Sequence, residues 1–288
     1  MRRIMVTLLA LHMGVLICGI AAAQLPGVAA AQLEQSPKPN PAAPMYRQTG
    51  EQYRIYEFPG TGEPIPYRLF VPESWTPQRK MPVLITLRAG NSINNNHRGG
   101  NDLVKMARER GYIVISPLGY RGLAQPYYGS PWPVDREGGP SVPADGWTAL
   151  ENQRAELDVL YVLNLVATEY NADTSRVFLH GQNPSGSAAF HFAAQYPDLL
   201  RAIVVSAGPI ISANYPFEKL RGKVAVLMLS GDKDAKYTAA ASERMTRELQ
   251  QHGVEAEFHL VPDGEHLNAY LLYAPKLFDF LGAHGVGK

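Results

Sequence analysis

A short turn between an apolar strand and a helix of small residues holds the side chains with the clearest chemical meaning. Residues 177–186 read VFLHGQNPSG, which has the outline of a nucleophile elbow, the G-x-S-x-G turn that presents a catalytic serine at the end of a strand. In this register Gly181 is the first glycine, Asn183 stands at the serine position and Ser185 replaces the last glycine. The pattern predicts a turn built to present a nucleophile, with an asparagine in the nucleophile's place.

The residue types in this turn are poorly suited to attack on an ester. The amide lone pair of Asn183 is delocalised, so a neighbouring base cannot make an alkoxide from it. Pro184 has no N–H at the position whose backbone normally helps to form the oxyanion hole, and loss of one such donor costs about 3–4 kcal/mol. Asparagine is also a preferred N-cap and proline a preferred first helical residue. Asn183-Pro184 therefore also fits a strained turn that has relaxed into a stable helix start.

A shifted register of the same turn offers a hydroxyl group instead. With a shift of two residues, Ser185 becomes the nucleophile of a turn that runs from Asn183 to Ser187. This turn lacks both flanking glycines, which normally allow the helix to pack closely on the strand. The shift also moves the hydroxyl group into the helix, so we expect the first register to be the one adopted.

Apolar runs that alternate with helical patterns define the elements that position this turn. Two short alternating segments at 53–58 and 66–72 predict an antiparallel entry hairpin. Runs typical of buried parallel strands follow at 81–87, 112–117, 176–181, 201–208, 223–231 and 255–262, and helices are predicted at 102–111, 149–170, 184–197, 239–253 and 269–285. The alternation predicts one α/β domain with a mostly parallel, doubly wound sheet and helices on both faces. The loops at the carboxyl ends of the strands are expected to hold the site.

Four segments, in a fixed order, carry a family resemblance. They are YNADTSRVFLHGQ, FHFAAQYPDLLRAIVVSAG, LSGDKDAKY and VPDGEHLNAY. Together they resemble the α/β-hydrolase superfamily, in particular the secreted feruloyl-esterase and polyhydroxybutyrate-depolymerase-like esterases and their prolyl-oligopeptidase-type relatives. The resemblance covers about residues 65–282 and implies the α/β-hydrolase fold with carboxylesterase ancestry.

The resemblance also implies roles for individual residues. Asp234 matches the acid of the catalytic triad, with Asp232 as a weaker candidate, and His266 matches the histidine. In active relatives the histidine takes the proton of the serine, while the carboxylate holds the ring in the required tautomer. The remaining oxyanion donors are expected from the backbone of Ala89 and Gly90, in the loop after the strand at 81–87.

The start of the chain has the features of a secretory signal peptide. Two arginines precede an apolar run and three alanines, so cleavage is expected after Ala23 or at a second small-residue site after Ala31. The predicted organisation is a signal peptide at 1–23, a proline-rich extended tether at 24–50 and the α/β-hydrolase domain at 51–288. The mature protein is therefore expected to be secreted or periplasmic, without stable membrane association.

Charge and cysteine content argue against several classes of partner. Without Arg2 and Arg3, 25 basic residues face 26 acidic ones, so no electrostatic attraction to nucleic acid or to an anionic membrane is expected. The single cysteine, Cys18, lies in the predicted signal peptide, which leaves the mature chain without disulfides or thiolate ligands. No metal-ligand spacing and no dinucleotide or phosphate loop is present, so we expect no metal and no cofactor.

Three functional interpretations follow. The first is a non-catalytic pseudo-hydrolase that binds a small ester, a carbohydrate-linked ligand or a protein partner in the inherited pocket. The second is an active carboxylic-ester hydrolase that uses Ser185 with His266 and Asp234. The third is general-base chemistry by the His266–Asp234 pair, on water or on a substrate C–H.

Overall fold

A computed structural model describes residues 23–87, 102–120, 134–135, 149–208, 210–211, 215–236, 238–266 and 268–285. Its strands are β1 (Gly50–Glu57), β2 (Pro64–Val71), β3 (Val83–Leu87), β4 (Ile113–Ser116), β5 (Val134–Asp135), β6 (Val177–Gln182), β7 (Leu200–Ser206), β8 (Ile210–Ile211), β9 (Ala225–Gly231) and β10 (Ala256–Val261). Its α-helices are α1 (Ala30–Leu33), α2 (Asp102–Arg110), α3 (Ala149–Tyr170), α4 (Ser185–Gln195), α5 (Ala239–Gln251), α6 (Ala269–Leu272) and α7 (Ala274–His284).

Eight of these strands form one sheet, and β5 pairs with β8 apart from it. The order in the large sheet is β1-β2-β4-β3-β6-β7-β9-β10. Strands from β4 to β10 in this order pair in parallel, whereas β2 is antiparallel to both β1 and β4. The predicted entry hairpin and the mostly parallel sheet are therefore confirmed. Since all parallel strands point the same way, the carboxyl ends of β3, β6, β9 and β10 lie along one edge of the sheet.

Helices cover both faces of the sheet, as the alternation of elements predicts. Side chains of a strand alternate between faces, so Val83 and Ile85 of β3 belong to one apolar cluster and Leu84 to the other. The first cluster packs against α3, α4 and α5, and the second against α2, α6 and α7. The sheet is thus buried on both sides, which explains the nearly uninterrupted apolar runs of its strands.

The closing helix differs from its prediction. The pattern at 269–285 predicts one helix, but the structure has α6 and α7 with a break at Tyr273. Pro275 lies in the first turn of α7. Because proline has no N–H and its ring clashes with the carbonyl four residues earlier, the helix restarts there rather than continuing. The spacing of apolar residues predicts which face of a helix is buried, but it does not show where a proline interrupts the backbone.

The proline-rich segment also differs from the extended tether that its composition predicts. Leu25 is buried in the first apolar cluster. Asn164 of α3 donates from Nδ2 to Ser36 Oγ at 2.8 Å, and Gln32 of α1 donates from Nε2 to the Tyr196 hydroxyl at 2.9 Å. The segment therefore packs on α3 and on the end of α4. Proline content indicates a stiff backbone, but it does not show whether such a backbone has a surface to pack on.

A buried carboxylate on α3 fixes the chain where it leaves β4. Asp158 accepts hydrogen bonds from the backbone N–H groups of Gly119 and Tyr120, at 2.7 and 3.2 Å, and from the Tyr56 hydroxyl. Burial raises the pKa of Asp158 to about 6, against the effect of these donors. Most of the irregular stretch predicted at 118–147 lies outside the described residues. Among the residues that are described, no helix is long and apolar enough to cross a bilayer.

Candidate active site

The turn after β6 keeps a strained backbone. Asn183 has φ of 55°, in the left-handed region that asparagine tolerates better than most residues. Its N–H donates to the carbonyl of Ser206 at 2.9 Å, and its own carbonyl accepts from the N–H of Gly186 at 3.0 Å. The turn has therefore not relaxed into an ordinary helix start, and the Asn183 side chain does not act as a cap for α4.

The first glycine of the turn is required by close packing. A Cβ atom at Gly181 would lie 2.2 Å from the carbonyl oxygen of Ser185 and 3.1 Å from Cβ of Ala189. These distances are shorter than atoms tolerate, so any side chain at 181 would push α4 away from β6. The strand and the first turn of α4 are thus in direct backbone contact.

The two serines of the shifted register lie inside the helix. Ser185 is the first residue of α4 and is fully buried. Ser187 is also buried, and its hydroxyl donates to the carbonyl of Pro184 at 3.0 Å. The left-handed residue that projects a side chain from such a turn is Asn183. The backbone therefore follows the first register, with Asn183 at the tip.

A histidine and a carboxylate from two neighbouring loops form a hydrogen-bonded pair. Nδ1 of His266, in the loop after β10, lies 3.0 Å from Oδ2 of Asp234, in the loop after β9. The other carboxylate oxygen accepts the N–H of Lys236 at 2.8 Å. The Asp234 side chain is fully buried and that of His266 is 23% exposed. With Nδ1 donating to the carboxylate, the basic lone pair of the ring is on Nε2. Asp232 is exposed, and the carboxylate that contacts His266 is that of Asp234.

The two loops that carry this pair contact each other at two glycines, Gly231 and Gly264. A Cβ atom at Gly231 would lie 2.0 Å from the carbonyl oxygen of Gly264. The N–H of Lys233 donates to this same carbonyl at 2.9 Å. Because no side chain fits between the loops, Asp234 and His266 are held close together by the backbone itself.

The turn and the pair meet at the carboxyl edge of the sheet. Nε2 of Gln182 lies 3.5 Å from the carbonyl oxygen of His266, and Nζ of Lys236 lies 3.4 Å from Oδ1 of Asn183. The site thus combines an amide, an ammonium group and a histidine with its carboxylate. Lys236 was missed by the sequence analysis, although it is only two residues after the predicted acid.

Part of the predicted oxyanion hole is not described. Ala89 and Gly90 lie outside the described residues. Pro184 has helical dihedrals, φ −59° and ψ −27°, and supplies no donor. Within the described part of the chain, no group of three His, Cys, Asp or Glu side chains converges as metal ligands do.

The buried histidine of β6 supports the turn from below. His180 of β6 lies with Nε2 3.0 Å from Oγ of Ser206, the residue whose carbonyl holds Asn183. Its ring packs on Tyr270 at 4.8 Å between centroids. Complete burial lowers the pKa of His180 to about 3, so the ring is neutral at physiological pH. The sequence analysis did not single out this residue, because a histidine within an apolar strand gives no signal of its own.

This arrangement of parallel strands, turn and histidine–carboxylate pair defines the α/β-hydrolase fold, as predicted. The family profile of dienelactone hydrolases matches residues 69–270, and the chain belongs to the dienelactone hydrolase family. The narrower resemblance to feruloyl esterases and polyhydroxybutyrate depolymerases stays a prediction.

Curated relatives match only part of the chain. Two proteins described as probable acetylxylan esterase A, from Neosartorya fischeri and Aspergillus fumigatus, are 30% identical over 112 residues. That stretch covers 38% of this chain and 26% of each relative. The likeness therefore concerns about a quarter of those proteins' length.

Solved structures share the fold at low sequence identity. An S-formylglutathione hydrolase from Agrobacterium tumefaciens superposes with a TM-score of 0.61 at 14% identity, over 82% of this chain and 95% of the other. A thermostable esterase gives a TM-score of 0.60 at 20% identity, over 81% of this chain and 62% of the other. A putative dienelactone hydrolase from Klebsiella pneumoniae gives 0.52 at 21% identity, over 82% and 98%. At these identities the likeness shows the fold alone.

Proposed function

We propose that this member of the dienelactone hydrolase family is an exported protein that no longer acts as a serine hydrolase. It binds a small ester or a carbohydrate-linked ligand in the pocket inherited from an esterase. The observation that carries the proposal is Asn183 at φ 55°, because the turn projects an amide where a hydrolase needs a hydroxyl. Pro184 adds to this, since it removes a backbone donor from the oxyanion hole.

The ligand class follows from the relatives and from the groups in the site. The partial relatives are described as probable acetylxylan esterases, whose name combines an ester with a carbohydrate. The amide of Asn183 and the ammonium group of Lys236 can donate hydrogen bonds to ester oxygens, and Nε2 of His266 can accept one from a hydroxyl group. A polar ligand with several oxygens therefore fits the site better than an apolar one.

General-base chemistry is a second candidate function, and one observation favours it. The His266–Asp234 pair is aligned at 3.0 Å with the carboxylate fully buried. This is the arrangement that makes Nε2 of a histidine an effective base. Such a base can activate water or remove a proton from a substrate without a covalent intermediate. An active ester hydrolase that uses Ser185 is the third candidate, and the burial of that hydroxyl group argues against it.

The three candidates give different results in an ester-hydrolysis panel. The mature protein, Ser185→Ala and His266→Ala are compared on p-nitrophenyl acetate and on acetylated xylo-oligosaccharides, with binding of the oligosaccharides measured by calorimetry. Heat of binding without turnover in any of the three proteins supports a ligand-binding pseudo-hydrolase. Turnover lost only in His266→Ala supports general-base chemistry, and turnover lost in both variants supports Ser185 and overturns the proposal.

Export is tested separately. Edman sequencing of the protein recovered from the medium or periplasm is expected to begin at Gln24, after cleavage behind Ala23. A start at Gln32 would mean cleavage after Ala31, which removes Leu25 from its place in the apolar cluster. Recovery of the chain with Met1 intact would contradict export with signal removal.

A further inference from the structure

A basic cavity lies at the end of the sheet opposite to the candidate active site. It has a volume of about 250 Å³. Four cationic side chains line it, and no carboxylate belongs to its described lining; the cations are Arg79, Lys80, Arg110 and Arg176. Like charges gathered in a concave site raise the local potential and attract anions.

The topology of the sheet explains why these four cations meet. Arg79 and Lys80 precede β3, Arg110 precedes β4, and Arg176 precedes β6. The three strands are adjacent and parallel in the order β4-β3-β6, so their amino ends lie side by side. A basic residue before each strand therefore produces one positively charged cluster, although the residues are up to about a hundred positions apart.

Ion pairs inside the protein neutralise only half of this charge. Arg110 pairs with Asp279 at 2.7 Å, and Arg176 pairs with Asp173 at 2.7 Å. Neither Arg79 nor Lys80 forms an ion pair with any residue that the structure describes. The cluster thus keeps about two positive charges, which matches the charge of one phosphoryl or sulfate group.

One hydrogen bond fixes a member of the cluster. Nη2 of Arg176 donates to the carbonyl of Lys80 at 3.2 Å, so the guanidinium group of Arg176 is held beside the start of β3. Nη2 of Arg79 lies near the backbone of Gly111, 3.1 Å from the position that a Cβ atom would take there. The side chains of Arg79 and Lys80 are exposed, so an anion can reach them from the solvent.

The remaining wall of the cavity is apolar and aromatic. Met81, Pro82, Tyr112 and Phe278 contribute to the lining, and the rings of Tyr112 and Phe278 pack edge to face at 5.1 Å. Burial raises the pKa of Tyr112, while the nearby guanidinium groups of Arg176 and Arg110 act in the opposite direction. The cavity therefore offers a cationic side for an anionic group and a non-polar side for the rest of a small molecule.

We propose that this cavity is a second binding site, which takes a small organic phosphomonoester with its phosphoryl group between Arg79, Lys80 and Arg176. Arginine and lysine donors suit the three oxygens of a phosphoryl group. The volume of about 250 Å³ is below the roughly 300–1,000 Å³ of pockets for drug-sized ligands, so it limits the ligand to a small molecule. The site is separate from the His266–Asp234 pair, since it lies at the amino ends of the strands. It does not depend on the function proposed for the carboxyl edge.

The test is a thermal-shift and calorimetric titration of the mature protein with inorganic phosphate and with glucose 6-phosphate. Glucose and sodium chloride at equal ionic strength serve as ligand controls. The proteins are wild type, Arg79→Gln/Lys80→Gln and the control variant Lys105→Gln/Lys219→Gln, which removes two exposed cations elsewhere. All four side chains are exposed, so the variants are expected to fold, and circular dichroism checks this.

We expect saturating glucose 6-phosphate to raise Tm by about 2 °C or more in the wild type and in the control variant. The shift is expected to vanish in Arg79→Gln/Lys80→Gln. Tighter binding of glucose 6-phosphate than of phosphate supports the proposal, whereas equal constants would mean that the apolar wall adds nothing and would overturn the phosphomonoester as the ligand. An equal shift with chloride, an equal shift in all three proteins, or no shift at all overturns the proposal.

Discussion

The elbow turn after β6 and the two loops that carry Asp234 and His266 are built on the same kind of glycine contact but differ in their side-chain chemistry. At the elbow, a Cβ atom on Gly181 would lie 2.2 Å from the carbonyl oxygen of Ser185, and in the acid and histidine loops a Cβ atom on Gly231 would lie 2.0 Å from that of Gly264. The two loops hold the His266–Asp234 pair at 3.0 Å, whereas the elbow carries Asn183 in place of a nucleophile. The backbone geometry of a hydrolase elbow can therefore be present without a side chain that can attack an ester. Glycine contacts support the packing of the fold, but a nucleophile contributes little to it.

The backbone of Asn183 stays strained although the residue cannot act as a nucleophile. Asn183 keeps φ at 55° although its amide gives no attack on an ester. The hydrogen bond from its N–H to Ser206 and the close contact at Gly181 hold the turn in this form. Strain at a functional turn persists because the surrounding structure determines it.

The largest effect is expected from restoring the elbow's chemistry. Asn183→Ser with Pro184→Met returns a hydroxyl group and a backbone N–H to a turn whose geometry is already present. We expect kcat/KM for p-nitrophenyl acetate to rise by about 100-fold or more, a small part of the acceleration that an intact triad supplies. Steady-state kinetics check this, and the same double variant with His266→Ala is the control. A rise that survives His266→Ala would mean that the two halves of the site do not cooperate.

The next largest effect is a loss of folding stability, which is expected to be similar at the elbow and at the two loops that carry Asp234 and His266. Gly181→Ala and Gly231→Ala each place a methyl group on backbone atoms closer than 2.5 Å, so each should lower the free energy of unfolding by roughly 3 kcal/mol or more. Gly282→Ala in α7 is the matched control, because among the described residues no atom outside its own helical turn lies within 4 Å of its Cβ position. It should stabilise the helix by about 0.5–1 kcal/mol. Urea unfolding of the three variants measures these values, and a Gly181→Ala variant as stable as wild type would contradict the close packing of the elbow.

The free energy of unfolding should depend on pH through the elbow, since the buried His180 lies directly under that turn. Its pKa is lowered to about 3 in the folded chain, whereas in the unfolded chain a histidine titrates near 6.5. The unfolded state alone binds this proton between the two values, so stability is lost as pH falls. The loss from this group is about 1.4 kcal/mol per pH unit below pH 6. Urea unfolding at pH 7, 6 and 5 measures it, and the slope should decrease in His180→Gln but not in His259→Gln, which changes a half-buried histidine on β10.

A smaller effect tests the strained backbone alone. Asn183→Gly should leave the free energy of unfolding within about 0.5 kcal/mol of wild type, because glycine adopts positive φ without a steric cost. Asn183→Ala should lower it by roughly 1 kcal/mol, because alanine disfavours this region. Thermal unfolding of the pair measures the difference. Equal stability of the two variants would mean that the turn relaxes when its side chain changes.

The sequence predicted the strands and the turn that position the site better than it predicted the contacts between distant segments. Apolar runs predicted β3, β6, β7 and β9, and the glycine pattern at 181 predicted the turn, because period and turn chemistry are local. Lys236 beside Asn183 and the docking of Leu25 on the core could not be predicted in this way, since both depend on how distant segments pack. The break between α6 and α7 was missed although Pro275 is visible in the sequence, because its effect was outweighed by apolar periodicity.

Labelling with a fluorophosphonate tests most directly whether the elbow has lost its nucleophile while the His266–Asp234 pair remains intact. Wild type, Asn183→Ser and Ser185→Ala are incubated with the reagent, and the adduct is located by peptide mass spectrometry. We expect no adduct in wild type or in Ser185→Ala, and an adduct at position 183 in Asn183→Ser. An adduct at Ser185 of the wild type, absent from Ser185→Ala, would contradict this account and show that the chain is an active serine hydrolase.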